Sequence, residues 1–150
     1  METLHMADVL RYAWDDDEGV PDGAVVVGRD RILAAGPAEE LRERFPGARV
    51  RRWSGTLGPG RVHEGPLPAA PSPRERIHAV LKLGAVAVLD TYAAEDPALR
   101  EAAARVGVTV LPGPLRPVLT ASGRADLAVL DADGRCVATV CAGRLVHRRA

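Results

Sequence analysis

The sequence predicts a mixed α/β fold. Three observations predict it: a β-rich first third, a middle in which helical and buried-strand patterns alternate, and a last quarter that returns to strands. With 150 residues, the chain suits a single compact domain able to bury a real core.

Ala7–Ala13 reads as the first strand. Ala24–Val27 and Arg31–Ala34 flank Gly28-Arg29-Asp30, a short loop with glycine where a hairpin needs it. Pro37 opens a short helix through Arg44, with Glu39 and Glu40 near its positive end, and Phe45-Pro46-Gly47 stops it. Ala48–Trp53 alternates, with Val50 on one face and Arg49 and Arg51 on the other, as in a half-exposed strand. Gly65–Pro73, rich in Pro and Ala, reads as a loop. Ser72-Pro73-Arg74-Glu75 is a helix start: Ser72 can cap, Pro73 fits the first turn and Glu75 completes a capping box. Ile77, Val80 and Leu81 form that helix's apolar stripe, and Gly84 ends it.

Ala85–Leu89 is a continuous apolar run, the mark of a strand covered on both faces. Asp96-Pro97 starts a second helix, whose buried face is Leu99, Ala102, Ala103 and Val106 and which Gly107 closes. Val108–Leu111 is another short buried strand. Helix, strand, helix, strand at this spacing predicts parallel β/α units. Asp126–Asp131, Arg135–Cys141 and Arg144–His147 are three further strands, joined at Ala132-Asp133-Gly134 and Ala142-Gly143.

Composition excludes several function classes. Formal net charge is zero, which gives no electrostatic basis for nucleic acid or an anionic membrane as partner. Lys82 is the only lysine, so the cations are arginines, in keeping with a GC-rich bacterial genome. Met1–Arg11 has no secretory pattern, and the longest uncharged stretch, Val106–Leu115, is too short to span a bilayer. A cytoplasmic location is therefore expected. Cys136 and Cys141 lie five apart in a strand-like run, on opposite faces, and read as free thiols.

Several segments together carry a family resemblance. Asp22–Val27 followed by Arg31–Gly36 resembles the opening hairpin of metal-dependent amidohydrolases of the imidazolonepropionase and aminodeoxyfutalosine deaminase type. Gly55–Val62 is similar to their turn into the first barrel strand, and Leu83–Asp90 to an early barrel unit. Gly123–Asp131 resembles their return to the sandwich domain, and Val137–Val146 their closing hairpin. The resemblance implies a β-sandwich-like composite domain from residues 1–58 and 116–150, with a reduced parallel β/α unit, 59–115, from a truncated barrel inserted between them.

The departures bear on function. In the family, the turn into strand one leads to an Asp and a His-x-His pair that binds metal; here those positions hold His63, Gly65 and Leu67. The stretch from Val62 to Ala125 is also far short of a complete barrel of about 250 residues. A hydrolytic zinc needs three protein ligands and a water. The four histidines, at 5, 63, 78 and 147, show no paired spacing. No metal or other cofactor is expected, and family-type hydrolysis is not.

One constellation remains. His63 and Glu64 follow the first parallel strand, Asp90, Thr91 and Tyr92 the second, and Pro112 and Gly113 the third. Carboxyl ends of adjacent parallel strands face a shared crevice. His63 with Glu64 or Asp90 can form an acid/base pair there, with Thr91 and Tyr92 contacting a ligand. The simpler reading is that these are loop residues, solvated or capping the helices that follow. His78 reads as a surface or packing residue, and His5 and His147 as terminal residues without a role. Arg49, Arg51 and Arg52 read as a solvated strand face, Trp14 and Trp53 as anchors, and Asp15–Glu18 as a solvated loop lacking calcium-loop spacing.

A small parallel sheet with two helices leaves faces and edges to be covered. A homodimer, a pathway-enzyme partner or the β-rich domain itself can cover them. The expected function is a degenerate amidohydrolase relative acting as a binding or interaction protein. The alternatives are a small metal-free lyase, isomerase or cyclase using His63, and an assembly subunit.

Overall fold

The alternating aliphatic runs near the two ends of the chain meet in one large sheet in the computed structural model, which describes residues 1–149. In chain order the first elements are β1 (Glu2–Leu10), β2 (Val20–Pro21), β3 (Gly23–Gly28), β4 (Arg31–Pro37), α1 (Ala38–Arg44) and β5 (Arg49–Pro59). β6 (Arg61–His63), α2 (Pro73–Lys82), β7 (Ala85–Leu89), α3 (Asp90–Ala93), α4 (Pro97–Val106) and β8 (Thr109–Leu111) follow. The last are β9 (Leu127–Leu130), β10 (Cys136–Cys141) and β11 (Arg144–Arg148). Eight strands form the larger, mostly antiparallel sheet, ordered β11-β10-β9-β5-β1-β3-β4 with β2 beside β1. The other three, β6-β7-β8, form a parallel sheet. The fold is thus mixed α/β, and strands from both ends of the sequence share a sheet where β5 pairs with β9.

Local signals set most of the boundaries. Ser72 Oγ accepts from Glu75 N–H at 3.2 Å, and Pro73 fills the first turn of α2. Asp96 caps α4 through Ala98 N–H at 2.9 Å, and Gly107 leaves the helix at φ +85°. Two strand boundaries and one turn residue differ from the sequence reading. The first strand is Glu2–Leu10 rather than Ala7–Ala13, because β3 and β5 pair with β1 from its start; Ala13 instead turns, donating its N–H to Asp16 Oδ2 at 3.0 Å. The strand expected at Ala48–Trp53 runs on to Pro59 as β5. In the β3–β4 hairpin the left-handed residue is Arg29, at φ +55°, rather than glycine.

The sandwich-like character comes from one sheet curled on itself. Ile32 on β4 exchanges backbone hydrogen bonds with the segment before β9, donating to Gly123 O at 2.9 Å and accepting from Ser122 N–H at 2.8 Å. Ala125 N–H reaches Asp30 O at 2.7 Å. The β10–β11 turn then presses on the hairpin tip at Gly143, where a Cβ would lie 1.8 Å from Arg29 O. Only glycine fits there, since its φ of +82° is also left-handed. Inside the curl Leu10, Val25, Leu57, Leu127 and Val140 form one core. On the outer face α1 lays Leu41 over Leu4, Ala24 and Val26. A third core places Ile77, Val80 and Leu99 of α2 and α4 against Val88 of the parallel sheet. Thr139 Oγ1 donates to Leu81 O at 2.6 Å and ties α2 to β10. Cys136 and Cys141 are free thiols, as expected.

His5 is not the inert terminal residue that its position suggests. It is 3% exposed, and its Nδ1 accepts from Trp53 Nε1–H at 3.2 Å. An indole N–H can only donate, so Nδ1 is unprotonated and the proton sits on Nε2. Burial, then the charge of Arg51, lowers the His5 pKa from 6.5 to about 4. The unfolded chain takes up this proton near pH 6.5 and the folded chain only near 4. The neutral ring's contribution is therefore complete above pH 6.5 and is lost as pH falls to about 4. Urea unfolding at successive pH values should show a loss of about 3 kcal/mol across that window. His5→Gln, which keeps an acceptor for Trp53 but does not titrate, should flatten it.

Candidate functional site

The carboxyl ends of β6, β7 and β8 lie side by side, since the three strands are parallel. His63 ends β6, and its Nε2 lies 2.9 Å from Pro66 O. A carbonyl only accepts, so Nε2 donates and is not open to act as a base. Glu64 is exposed and lines a shallow depression with Trp14, Asp15 and Arg116. Asp90 begins α3 and forms an ion pair with Arg100 on α4. Thr91 is exposed, and Tyr92 packs against the helix–sheet core. Among the described residues, the polar contacts of His63 and Asp90 run to Pro66 and Arg100, not to each other or to Glu64.

The loop after β6 is built around a buried leucine. Leu67 is 4% exposed and packs with Ile77, Val80 and Leu81. Arg76 holds the loop down, its Nε donating to Pro68 O and its Nη2 to Leu67 O, both at 3.1 Å. Gly65 offers no donor atom. The side chains here do not fit the metal that the resemblance implies. Among the described residues no group of three or more His, Cys, Asp or Glu is arranged to hold one. His78 is exposed at the rim of the groove between α2 and α4, a surface residue. The His147 pKa is lowered by partial burial and then by the charges of His78 and Lys82. Trp14 and Trp53 are anchors. Trp14 Nε1 donates to Pro59 O at 2.7 Å, with its ring against Gly58. Arg116 pairs with Asp15 at 2.7 Å and lowers its carboxyl pKa, and it reaches Asp16 at 3.4 Å, while Asp17 and Glu18 are exposed.

The sequence reading missed the polar junction between the sheets. Arg124 Nε donates to Asp126 Oδ1 at 3.0 Å, and Nη1 to Thr109 Oγ1 at 3.0 Å. Its Nη2 reaches Gly107 O and, at 3.1 Å, Cys141 Sγ. Asp126 Oδ1 also accepts Ala142 N–H at 2.9 Å. One guanidinium thus links the end of α4, β8, β9 and β10. Burial raises the Cys141 thiol pKa, with Arg124 opposing the effect, so the thiol stays protonated near neutrality. The signal was the Arg-x-Asp spacing at 124–126, read as part of a motif without a role for its side chains. Beside the junction lies a cleft of about 420 Å³, lined by Val62, Ala87 and Thr109 on one side and Leu115–Thr120 on the other.

Residues 23–48 match the family described as imidazolonepropionase-like composite domain, bacteria. No curated protein matches the sequence. Among solved structures the fold is similar to a Xanthomonas campestris adenosine deaminase with bound zinc, at 21% identity and a TM-score of 0.58, over 73% of this chain and 33% of that one. It is similar to E. coli guanine deaminase at 16% identity and a TM-score of 0.54, over 72% of this chain and 34% of that one. For the Bradyrhizobium japonicum guanine deaminase the values are 18% and 0.51, over 73% and 34%. This chain spans about a third of the length of these proteins. The likeness is thus to a composite-domain segment over residues 23–48 and, in fold, to about a third of these deaminases. Among the described residues no helix is long and apolar enough to cross a membrane.

The junction makes a direct stability prediction. Arg124→Ala should cost about 3 kcal/mol, since it leaves Asp126 without its cation and opens the joint between sheets. Urea unfolding reads the loss. Thiol labelling of Cys141, slow in the parent protein, should accelerate in the variant.

Proposed function

We propose that this chain acts as a non-hydrolytic binding or interaction protein, a degenerate relative of the imidazolonepropionase-like amidohydrolases with a reduced barrel. One observation carries the reading: the positions after β6 that would hold metal donors are Gly65 and a leucine, Leu67, sealed into the helix–sheet core under Arg76. A residue there cannot turn toward a shared metal without emptying that core. Deamination, the activity in the names of these three structural neighbours, is accordingly not carried over to this chain.

Acid/base catalysis by His63 with Glu64 or Asp90 has less support, because the contacts of His63 Nε2 and Asp90 Oδ1 run to Pro66 O and Arg100 and not to each other or to Glu64. His63→Ala matching the parent protein in every ligand or turnover assay would remove that alternative. The partner of an interaction protein would be a second copy or a pathway enzyme, which light scattering and co-purification separate.

The test is elemental analysis of the purified protein followed by zinc titration in a calorimeter. We expect far less than one metal ion per chain and no saturable zinc binding. A stoichiometric ion that survives dialysis against a weak chelator would contradict the proposal.

A further inference from the structure

We infer that the cleft between the two sheets is a binding site for a small, uncharged, mainly apolar molecule carrying one hydrogen-bond acceptor. The inference rests on the binding reading above and names the ligand class that such a protein would take.

The hollow follows from side-chain sizes. Val62, Ala87 and Thr109 form one cross-strand row on the parallel sheet, and all three line the cleft. The central position carries only a methyl group, which leaves a gap between its larger neighbours. Gly60 preserves the gap's end, where a Cβ would lie 2.6 Å from Val86 Cγ2. Across the gap runs the strap Leu115–Thr120. Arg116 ties the strap to Asp15 at 2.7 Å, and Leu119 N–H to Tyr12 O at 2.8 Å. Leu115 and Val118 on the strap are 51% and 47% exposed, so the cleft has an apolar rim open to solvent. A cleft of about 420 Å³ falls within the size of small-molecule sites.

Charge excludes an ionic ligand. The two arginines that line the cleft are already neutralised, Arg124 by Asp126 and Arg116 by Asp15 and Asp16. A bound ion would have to break one of these pairs or remain unpaired in a partly desolvated site. Thr109 supplies the polar handle. Its Oγ1 accepts from Arg124, so its own O–H remains to donate to a carbonyl or ether on the ligand.

Cyclohexanone, an apolar ring with a single carbonyl acceptor, tests the inference. It is titrated into the ¹⁵N-labelled full chain and followed by amide chemical shifts. We expect saturable shifts at Ala87, Thr109, Leu111 and Val118. Thr109→Val should weaken binding roughly five- to tenfold by removing one hydrogen bond. Ala87→Leu, which fills the hollow, should abolish it. Should Ala87→Leu fail to fold, Val118→Trp blocks the cleft from the exposed strap and should abolish binding in its place. Shifts that do not saturate, that map elsewhere, or that persist in the folded blocking variant would overturn the inference. The metal proposal fails separately: a zinc-loaded protein sinks that reading, whereas a zinc-free protein that ignores cyclohexanone sinks only this one.

Discussion

The structure depends on one passage of chain, where the polypeptide leaves one sheet and enters another. β5 pairs with β1 and β9, turns at Gly60, and continues as β6 of the parallel sheet. At the crossing, Gly60 N–H donates to Asp126 O at 2.8 Å and Arg61 N–H to Gly84 O at 2.9 Å. Nothing larger than glycine fits against Val86 there. Arg124 and Asp126, entering β9, bind the same joint from the returning strand. The curl of the large sheet, the placement of α2 and α4 over β10, and the cleft all follow from holding two sheets together at this point.

The same joint sets the functional question. Parallel strands bring three carboxyl ends together, the place where α/β folds gather ligands. In this chain the loop after the first of those strands turns inward instead. Leu67 joins the core, Arg76 closes over its carbonyl, and the imidazole of His63 bonds its own loop. What remains open is the apolar row on the sheet face and the strap above it.

The sequence was legible where signals are local. Ser72, Pro73 and Glu75 announce α2 within four residues, Asp96-Pro97 announces α4, and the short apolar run Ala85–Leu89 after Gly84 marks a buried strand. The hairpin and the return strands were likewise readable. Signals that depend on distant partners were not. Pairing with β3 and β5 moved the first strand to Glu2, and burial beside Trp53 gave His5 its role; neither leaves a mark within a few residues. The Arg124 junction needs α4, β8, β9 and β10 in place before its contacts exist. Of the candidate residues, His63 and Asp90 lie at strand ends as the pattern placed them, but the contacts of His63 with Pro66 and of Asp90 with Arg100 belong to tertiary packing.

The central claim is that packing, and not only the missing side chains, closes the end of β6 to a metal. The direct measurement is zinc binding and stability of the double variant Gly65→His with Leu67→His, which restores imidazoles at both positions. If Leu67 is a core residue, the variant loses about 2–4 kcal/mol in urea unfolding and zinc neither binds stoichiometrically nor restores the loss. A folded variant that takes up one zinc ion and is stabilised by it would contradict the account.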